Sequence, residues 1–403
     1  MFRHSFLMAV SLASCLFVSA KTFGQRTRSI GPTPIDVLYL VNQNTTDTDT
    51  IETYNVDPGY GDATLAGTFS VRVPLGLYCS LVPGANDHYV YFFCAYGAKG
   101  SVLQVYATDS NGAPQDPAIQ TINFKMAISQ FLIDPNGTLA YATQQVQGVQ
   151  DVVKVGILAL AVDPKTGMVT VPTSFIDVET APIYCSPTNP FGPPSFGLIE
   201  FNVSGSQLID AWGCSGHGDG TNFFFTQDVN QETGSLGWPV PTVGSGYSND
   251  EYNSVSFTPT AIFSFTNYGY EGSRNELDVY WPDAKLDFSC TYTMFDACAY
   301  SGGITTDRTG RFIFFYTNAG GTEVTRLNMD KKTIEPVGIP LANTIETFSL
   351  DDRLIYGYRT LSWNGEYVIP VYVFNPGTGL VTNNGMEITM PSEYSSLIPA
   401  LRY

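Results

Sequence analysis

The feature of the sequence that most limits its fold is a phrase that recurs along the chain. Residues 131–143 read FLIDPNGTLAYAT. Apolar runs on either side of a turn-forming segment predict a short strand, a tight turn and a second strand. The pattern returns as GITTDRTGRFIFFYT at 303–317, and in looser form at 201–212 and 348–359. Such self-similarity indicates a repeat architecture.

A second recurring hairpin completes the repeating unit. It is clearest in LALAVDPKTGMVTVP at 158–172 and VYVFNPGTGLVTNNG at 371–385. Two hairpins in succession give four antiparallel strands, which we label A to D. On this template the A strands begin about 46 to 68 residues apart, which is the length of a propeller blade. Their predicted starts lie near residues 76, 127, 195, 253, 299 and 345.

The two ends of the repeat region complement each other. The first predicted strand, 36–44, is a B strand without an A strand, whereas 395–403 is an A strand without a B strand. Pairing of these two segments closes a ring of seven blades and leaves no open edge. A pair of β-sandwiches is the alternative, but it does not explain the matching ends. We therefore predict an all-β fold, a seven-bladed β-propeller of four-stranded antiparallel blades over residues 34–403.

The amino terminus is typical of an export signal. A basic start, MFRH, is followed by the apolar stretch SFLMAVSLASCLFVSA, which predicts a signal peptide over residues 1–20 and a linker over 21–33. The segment LASC leaves open a second interpretation, a lipid anchor at Cys15. No other segment approaches the roughly 20 apolar residues of a membrane-spanning helix. We expect a bacterial protein that is secreted or periplasmic.

The charge balance limits the partners. The chain has 19 Lys and Arg against 37 Asp and Glu, a formal net charge of −18. So acidic a surface repels phosphate backbones, and we therefore expect no nucleic-acid partner. We expect a monomer that meets a small polar ligand or an extracellular protein.

The repeated hairpins resemble those of a known family. FLIDPNGTLAYAT and ITTDRTGRFIFFYTN, with DPKTGMVT and NPGTGLVT between strands C and D, are similar to the hairpins of the bacterial lactonase-type seven-bladed propellers. These are relatives of 6-phosphogluconolactonase and of the surface repeat proteins named for a YVTN motif. The resemblance covers most of residues 34–403 and implies the propeller scaffold. By the family's name it also implies a lactonase.

The cysteines map to one face of that scaffold, the face of the D–A and B–C loops. Seven cysteines less Cys15 leave six, an even number that favours disulfides in an exported protein. Sequence alone allows 15 pairings, and buried free thiols are the alternative. Each neighbouring pair falls within one blade or blade junction. The predicted disulfides are Cys79–Cys94, Cys185–Cys214 and Cys290–Cys298.

The same face carries the polar side chains that we expect to contact a ligand. Glu200 interrupts an apolar A strand, and His217 lies on a glycine-rich B–C loop. Acidic groups among exposed aromatic rings suit a sugar-like ligand, although turns alone also require Asp, Asn and Gly. Glu251 and Tyr252 are placed on or beside a D–A loop. The predicted ligand-binding residues are Tyr184, Glu200, His217, Asp219, Asp250, Glu251, Tyr252 and Asp296.

Two functions of different classes fit these residues. Lactone hydrolysis needs a base and a cationic or N–H donor for the developing oxyanion. The candidates for these roles are Glu200, His217 and Arg402, but basic residues are few on this face. The leading interpretation is therefore an exported binding or scaffold module, and a lactonase-like hydrolase is the alternative. We predict no metal and no cofactor, because histidines are few and no ligand spacing occurs.

Overall fold

The computed structural model describes most of the repeat region. The chain divides into Met1–Thr33 and Pro34–Tyr403, and all described residues belong to the second unit. They are 35–43, 48–73, 78–85, 88–95, 100–125, 128, 130–147, 153–171, 195–201, 205–213, 222–237, 240–243, 251–257, 262–268, 274–280, 286–292, 301–317, 321–328, 330–338, 341–390, 394 and 396–402. This part of the chain has no helix that could cross a membrane.

The described strands form seven antiparallel sheets, numbered here in chain order. Sheet 1 contains β1 (Ile35–Gln43), β2 (Thr48–Val56) and β3 (Ala63–Arg72). Sheet 2 contains β4 (Tyr78–Pro83), β5 (Tyr89–Ala95), β6 (Ser101–Ala107) and β7 (Gln120–Phe124). Sheet 3 contains β8 (Gln130–Ile133), β9 (Leu139–Gln147), β10 (Val153–Val162) and β11 (Val169–Thr170).

The remaining sheets follow the same order. Sheet 4 contains β12 (Ser195–Phe201), β13 (Gln207–Gly213), β14 (Asn222–Asp228) and β15 (Val240–Val243). Sheet 5 contains β16 (Glu251–Phe257), β17 (Ile262–Tyr268), β18 (Arg274–Tyr280) and β19 (Leu286–Tyr292). Sheet 6 contains β20 (Ser301–Thr306), β21 (Phe312–Thr317), β22 (Thr322–Asn328) and β23 (Thr333–Pro336).

Sheet 7 departs from the four-strand pattern. It contains β24 (Ile345–Phe348), β25 (Leu354–Gly357), β26 (Thr360–Leu361), β27 (Tyr367–Phe374) and β28 (Val381–Met390). The two-residue strand β26 pairs with the start of β27, so that the B–C connection forms a small hairpin of its own. The last strand, β29 (Ser396–Arg402), pairs with β1 in sheet 1, with Val37 opposite Ala400. The first and last described strands therefore belong to one sheet, as the sequence predicts.

Burial explains why the strands differ in composition. The second strand of a sheet packs on both faces, so β5 reads as the apolar run VYFFC with all five residues buried. The outer strand β3 has most of its residues exposed or half-buried. Apolar clusters join sheets 1 and 2, sheets 2 and 3, sheets 6 and 7, and sheets 7 and 1. Hydrophobic burial between sheets is therefore the main stabilising term.

The recurring phrase is a hairpin turn whose first residue bonds the main chain. Asp134 accepts hydrogen bonds from the N–H groups of Thr138 at 2.8 Å and Leu139 at 2.7 Å. Gly137 occupies the left-handed region, at φ 70°, where glycine carries no steric penalty. Asp307 repeats this contact in sheet 6 with the N–H of Phe312 at 2.8 Å. The Asp-x-x-Gly spacing is therefore explained by turn chemistry.

Neighbouring sheets are also joined by a repeated tyrosine hydrogen bond. The hydroxyl of Tyr39 in sheet 1 donates to the Gly112 carbonyl in sheet 2 at 2.8 Å. Two further buried tyrosines make the same contact with the next sheet. Tyr91 donates to Gly167 at 2.9 Å and Tyr141 donates to Gly234 at 2.8 Å.

The junction between sheets 7 and 1 is different. Tyr356 stands two residues after Leu354, as Tyr141 stands two residues after Leu139. Its buried hydroxyl nevertheless has no hydrogen-bond partner among the described residues. An unpartnered buried hydroxyl costs free energy, so this junction lacks a stabilising contact that three other junctions have.

The two kinds of tyrosine predict opposite mutational effects. Tyr91→Phe leaves the buried Gly167 carbonyl unpaired and should lower the free energy of unfolding by about 1–3 kcal/mol. Tyr356→Phe removes a hydroxyl for which the described residues offer no partner, so its effect should lie within about 0.5 kcal/mol of zero or be stabilising. Urea denaturation of the two variants beside wild type measures the difference. Equal losses in both variants would show that the tyrosine contact does not stabilise the junction.

A buried carboxyl lies close to the same junction. Asp36 in β1 is 1% exposed, and neither of its carboxylate oxygens has a partner among the described residues. Burial and the charge of Asp351 raise the pKa of Asp36 to about 7, although Arg353 and Arg308 lower it. Burial likewise raises the pKa of Asp352, in the A–B turn of sheet 7, to about 7. Ionisation of these carboxyls at neutral pH therefore opposes folding.

The pKa of Asp36 predicts how stability depends on pH. The folded value, about 7, lies above the ordinary value of 3.8. Its contribution to stability is therefore lost as pH rises between these values. Asp36→Asn removes the ionisable group, so stability of wild type relative to the variant should fall by up to about 3 kcal/mol between about pH 5 and about pH 8. Urea denaturation at both pH values measures this, with the exposed Asp62→Asn as control. A difference that does not change with pH would exclude the effect.

Candidate functional site

The disulfide Cys79–Cys94 distinguishes one end of the sheets. Cys79 near the start of β4 lies opposite Cys94 near the end of β5, and their Cα atoms are 4.1 Å apart. This predicted pair is confirmed. We call the end of each sheet at which the A strand begins and the B strand ends the disulfide end. The opposite end, which carries A–B turns such as 134–138, is the turn end.

The register places two predicted catalytic candidates towards the turn end. Glu200, in β12, pairs with Ile209 and is five residues beyond Ser195, where that strand begins. Arg402 is the last residue of β29 and pairs with Ile35. By backbone position, both therefore lie towards the end of their sheets opposite the disulfide end, although Glu200 was predicted to face that end. Their functional roles stay predictions.

Three other predicted residues lie in strands rather than in loops. β16 begins at Glu251, which pairs with Tyr268, and Tyr252 follows it in the strand. The prediction of a loop at Glu251 and Tyr252 is wrong because pairing with β17 extends the strand by two residues. Cys290 lies inside β19 rather than after it. The other predicted site and disulfide residues lie outside the described residues: Tyr184, Cys185, Cys214, His217, Asp219, Asp250, Asp296 and Cys298.

A carboxylate that the sequence analysis did not single out lies near the disulfide end. In sheet 7, Ile345 pairs with Gly357 and Thr347 pairs with Tyr356, so Glu346 is the extra residue of a β-bulge. Such a bulge re-aims a side chain and is common beside active sites. Glu346 is half-buried, and its carboxylate oxygen accepts a hydrogen bond from the hydroxyl of Tyr394. The bulge therefore presents a carboxylate that is already held by a second side chain.

An arginine completes this group. Arg359 follows the B strand of sheet 7, and its guanidinium carbon is 4.9 Å from the centre of the Tyr394 ring. It also hydrogen-bonds the Tyr394 hydroxyl and acts on Glu346 through its charge. A cation, a phenol and a carboxylate thus lie in a row, because Arg359 contacts Tyr394 and Tyr394 contacts Glu346. We call these three residues the Glu346 cluster.

The Glu346 cluster perturbs the protonation of its members. Burial raises the pKa of the Glu346 carboxyl, although the hydrogen bond from Tyr394 and the charge of Arg359 lower it. Burial and the contact with Glu346 raise the pKa of Tyr394, so its hydroxyl keeps its proton at neutral pH. The cluster also affects Tyr316 of sheet 6. Burial and the charge of Glu346 raise the pKa of Tyr316 to about 12, although the hydrogen bond with Thr305 lowers it.

This arrangement has the parts of an acid–base site. A carboxyl with a raised pKa suits proton transfer near neutral pH, and a neighbouring guanidinium stabilises developing negative charge. Among the described residues, no three His, Cys, Asp or Glu side chains are grouped as metal ligands. Proton transfer by Glu346 and charge stabilisation by Arg359 are the chemistry that these two side chains can supply.

The sequence contains a signal for Glu346. Glu346 interrupts NTIETF as Glu200 interrupts GLIEF, and both segments are A strands. Both carboxylates therefore carry the same sequence signal, an acidic residue within an A strand. What distinguishes Glu346 from Glu200 is its position in a bulge and its contacts with Tyr394 and Arg359. These features are not visible in the sequence.

Comparison with known proteins defines the fold. No family model and no curated sequence matches the chain. Solved structures do match it, among them a protein assigned as a 6-phosphogluconolactonase from Bacteroides fragilis NCTC 9343. That match has a TM-score of 0.61 at 13% identity and covers 92% of this chain and 99% of the other. The chain has the fold of the lactonase-like β-propellers.

Two further structures support this fold. The periplasmic gluconolactonase of Pseudomonas aeruginosa matches with a TM-score of 0.57 at 13% identity, covering 91% of this chain and 99% of that one. A hypothetical selenium-binding protein from Sulfolobus tokodaii matches with a TM-score of 0.55 at 10% identity, covering 92% and 94%. At these identities the likeness concerns the fold alone. The resemblance drawn from the hairpin sequences is therefore confirmed for the scaffold.

Proposed function

We propose that the protein is an exported, lactonase-type hydrolase that acts on a neutral sugar lactone at the Glu346 cluster. The observation that carries this proposal is the bulged Glu346, with its raised pKa and its hydrogen bond from Tyr394. The nearby Arg359 supplies the cation that an oxyanion requires. The net charge of −18 favours an uncharged lactone over a phosphorylated one.

The proposed reaction balances without a cofactor. Glu346 removes a proton from water while the water oxygen bonds to the lactone carbonyl carbon. The carbonyl oxygen becomes an oxyanion, which the guanidinium of Arg359 stabilises. The acyl C–O bond of the ring then breaks, and the ring oxygen takes the proton back from Glu346. The product is the open hydroxy acid, and Tyr394 holds the carboxylate in place throughout.

The proposed scaffold is a closed ring of seven blades. Seven sheets are present among the described residues, and β29 pairs with β1. We propose that each sheet is one blade and that this pairing closes the ring. The structural neighbours support a propeller, and ring closure would keep the loops of the disulfide end around one central channel.

Export is proposed from the amino-terminal sequence. Residues 1–20 have the pattern of a cleaved signal, with lipid attachment at Cys15 as the alternative. The disulfide Cys79–Cys94 supports an oxidising compartment. The neighbour from Pseudomonas aeruginosa is described as periplasmic, which fits the same location.

Binding without hydrolysis is the second candidate function. Exposed aromatic and apolar residues lie near the Glu346 cluster, including Tyr358 at 49% and Leu361 at 64% exposure. Such surfaces bind sugars and proteins without any reaction. In that case the cluster would hold a polar ligand through Glu346 and Arg359.

The hydrolase proposal predicts the effect of neutralising Glu346. Glu346→Gln keeps the shape of the side chain but cannot remove a proton, so kcat for D-glucono-1,5-lactone should fall about 10²–10⁴-fold. The measurement is the rate of lactone hydrolysis above the spontaneous rate. The control is Glu232→Gln, which changes an exposed carboxyl at the turn end. If wild type binds the lactone in calorimetry without accelerating its hydrolysis, the protein is a binding module. Full activity in Glu346→Gln would place the base elsewhere.

The hydrogen bond from Tyr394 predicts a change in the pH profile. That bond lowers the pKa of Glu346, so Tyr394→Phe should raise it further. Because the base acts when ionised, the acid limb of the kcat/KM profile should move to higher pH in the variant. The variant should therefore lose more activity at low pH than at high pH. A lower rate with an unmoved acid limb would show that Tyr394 does not tune the carboxyl.

A further inference from the structure

The B–C connection of sheet 7 forms a hairpin that the other described sheets do not show. Thr360 pairs with Val368 and Leu361 pairs with Tyr367. The loop that follows, residues 362–366, is held by its own main chain. Ser362 N–H donates to the Glu366 carbonyl at 2.8 Å, and Gly365 N–H donates to the Ser362 carbonyl at 3.0 Å. We call residues 358–367 the aromatic arm.

The tip of the aromatic arm is ordered by side chains as well. The hydroxyl of Ser362 donates to the Glu366 carbonyl at 2.8 Å, and the Asn364 amide donates to the Glu366 carboxylate. Gly365, at φ 85°, permits the tight return of the chain. A tip fixed in this way loses little entropy when a ligand binds to it.

The aromatic arm exposes a tryptophan almost completely. Trp363 at its tip is 98% exposed, and Leu361 beside it is 64% exposed. A single exposed apolar residue needs no explanation, but this one stands on an ordered tip between the amide of Asn364 and a hydroxyl. An exposed indole with hydrogen-bonding groups alongside is the arrangement that receives a sugar ring on its flat face.

The base of the aromatic arm is continuous with the Glu346 cluster. Arg359, which contacts Tyr394, immediately precedes β26. Tyr367, at the other end of the arm, packs against the apolar group that contains Met390 and Tyr394. From Arg359 to Trp363 the chain advances four residues, at most about 14 Å when extended. The separation of Trp363 from Arg359 therefore stays within the span of two linked pyranose rings.

We propose that Trp363 is an outer subsite for a second pyranose ring of the lactone substrate. This inference rests on the proposed function and assigns its substrate class: a glycosylated aldonolactone, with the lactone ring at Glu346 and the next sugar on the indole. The sugar's C–H face lies on the ring of Trp363. The carboxylate of Glu366 favours a neutral sugar over an anionic one.

The test compares two lactones that differ by one glucose unit. For cellobiono-1,5-lactone, Trp363→Ala should raise KM about tenfold with kcat unchanged, because the second ring loses its stacking partner. For D-glucono-1,5-lactone, both constants should stay at the wild-type values. Tyr60→Ala, which removes an aromatic ring that is 69% exposed in a turn-end loop, is the matched control and should affect neither substrate. Equal effects on both lactones, or no effect on either, overturn the subsite.

Equilibrium binding separates this inference from the proposed function. If wild type hydrolyses neither lactone, the hydrolase proposal fails, and cellobiose binding measured by calorimetry then tests the subsite alone. The subsite predicts that Glu346→Gln binds cellobiose and that Trp363→Ala binds it about tenfold more weakly. Absence of cellobiose binding by wild type in that case overturns the subsite. Vesicle or self-association that depends on Trp363, without sugar binding, would assign the aromatic arm to an interface instead.

Discussion

The structure depends on apolar packing between neighbouring sheets, and at three junctions a tyrosine hydroxyl adds a hydrogen bond to a glycine carbonyl of the next sheet. This hydrogen bond sets the tyrosine of a B strand against the C–D turn of the following sheet, as Tyr91 does with Gly167. That glycine has φ 69°, and a Cβ atom there would lie 2.3 Å from the ring of Tyr89. Because turn, glycine and tyrosine must fit together, a sheet constrains the sequence of its neighbour at the three junctions that have this contact.

Features set by short-range chemistry could be predicted from the sequence. Asp134 and Gly137 form their turn with residues no more than five positions away, so the hairpin is visible in the sequence itself. Strand ends depend on pairing with another strand, which is why Glu251 was placed in a loop although β17 extends its strand. The hairpin at β26 is a similar case, because TLSWNGEY reads as a long turn unless its pairing with β27 is known.

The candidate site could be predicted only in type. A carboxylate on an A strand was expected to need a partner, and this reasoning fits Glu346 as well as it fits Glu200. The partners of Glu346 come from distant parts of the chain, since Tyr394 is 48 positions away and Arg359 belongs to another loop. Which carboxylate has such partners depends on which loops the fold brings together, and a single sequence does not contain that information.

The two ends of the sheets differ in what their polar groups can do. At the turn end, side chains such as Asp307 are occupied by main-chain N–H groups and have little capacity for a ligand. Sheet 7 forms the same turn with other residues. Ser349 stands at the aspartate position and accepts a hydrogen bond from the N–H of Leu354, and Asp352, at φ 57°, stands at the glycine position. Asp36 and Tyr356, whose buried oxygens have no partner in the part of the chain that the structure describes, lie beside that turn, where segments from the two ends of the repeat region meet. Burial of these polar groups lowers the stability of the junction. At the disulfide end of the same sheet, the bulge presents Glu346 and the aromatic arm presents Trp363. At the turn end, by contrast, the polar side chains serve to form turns.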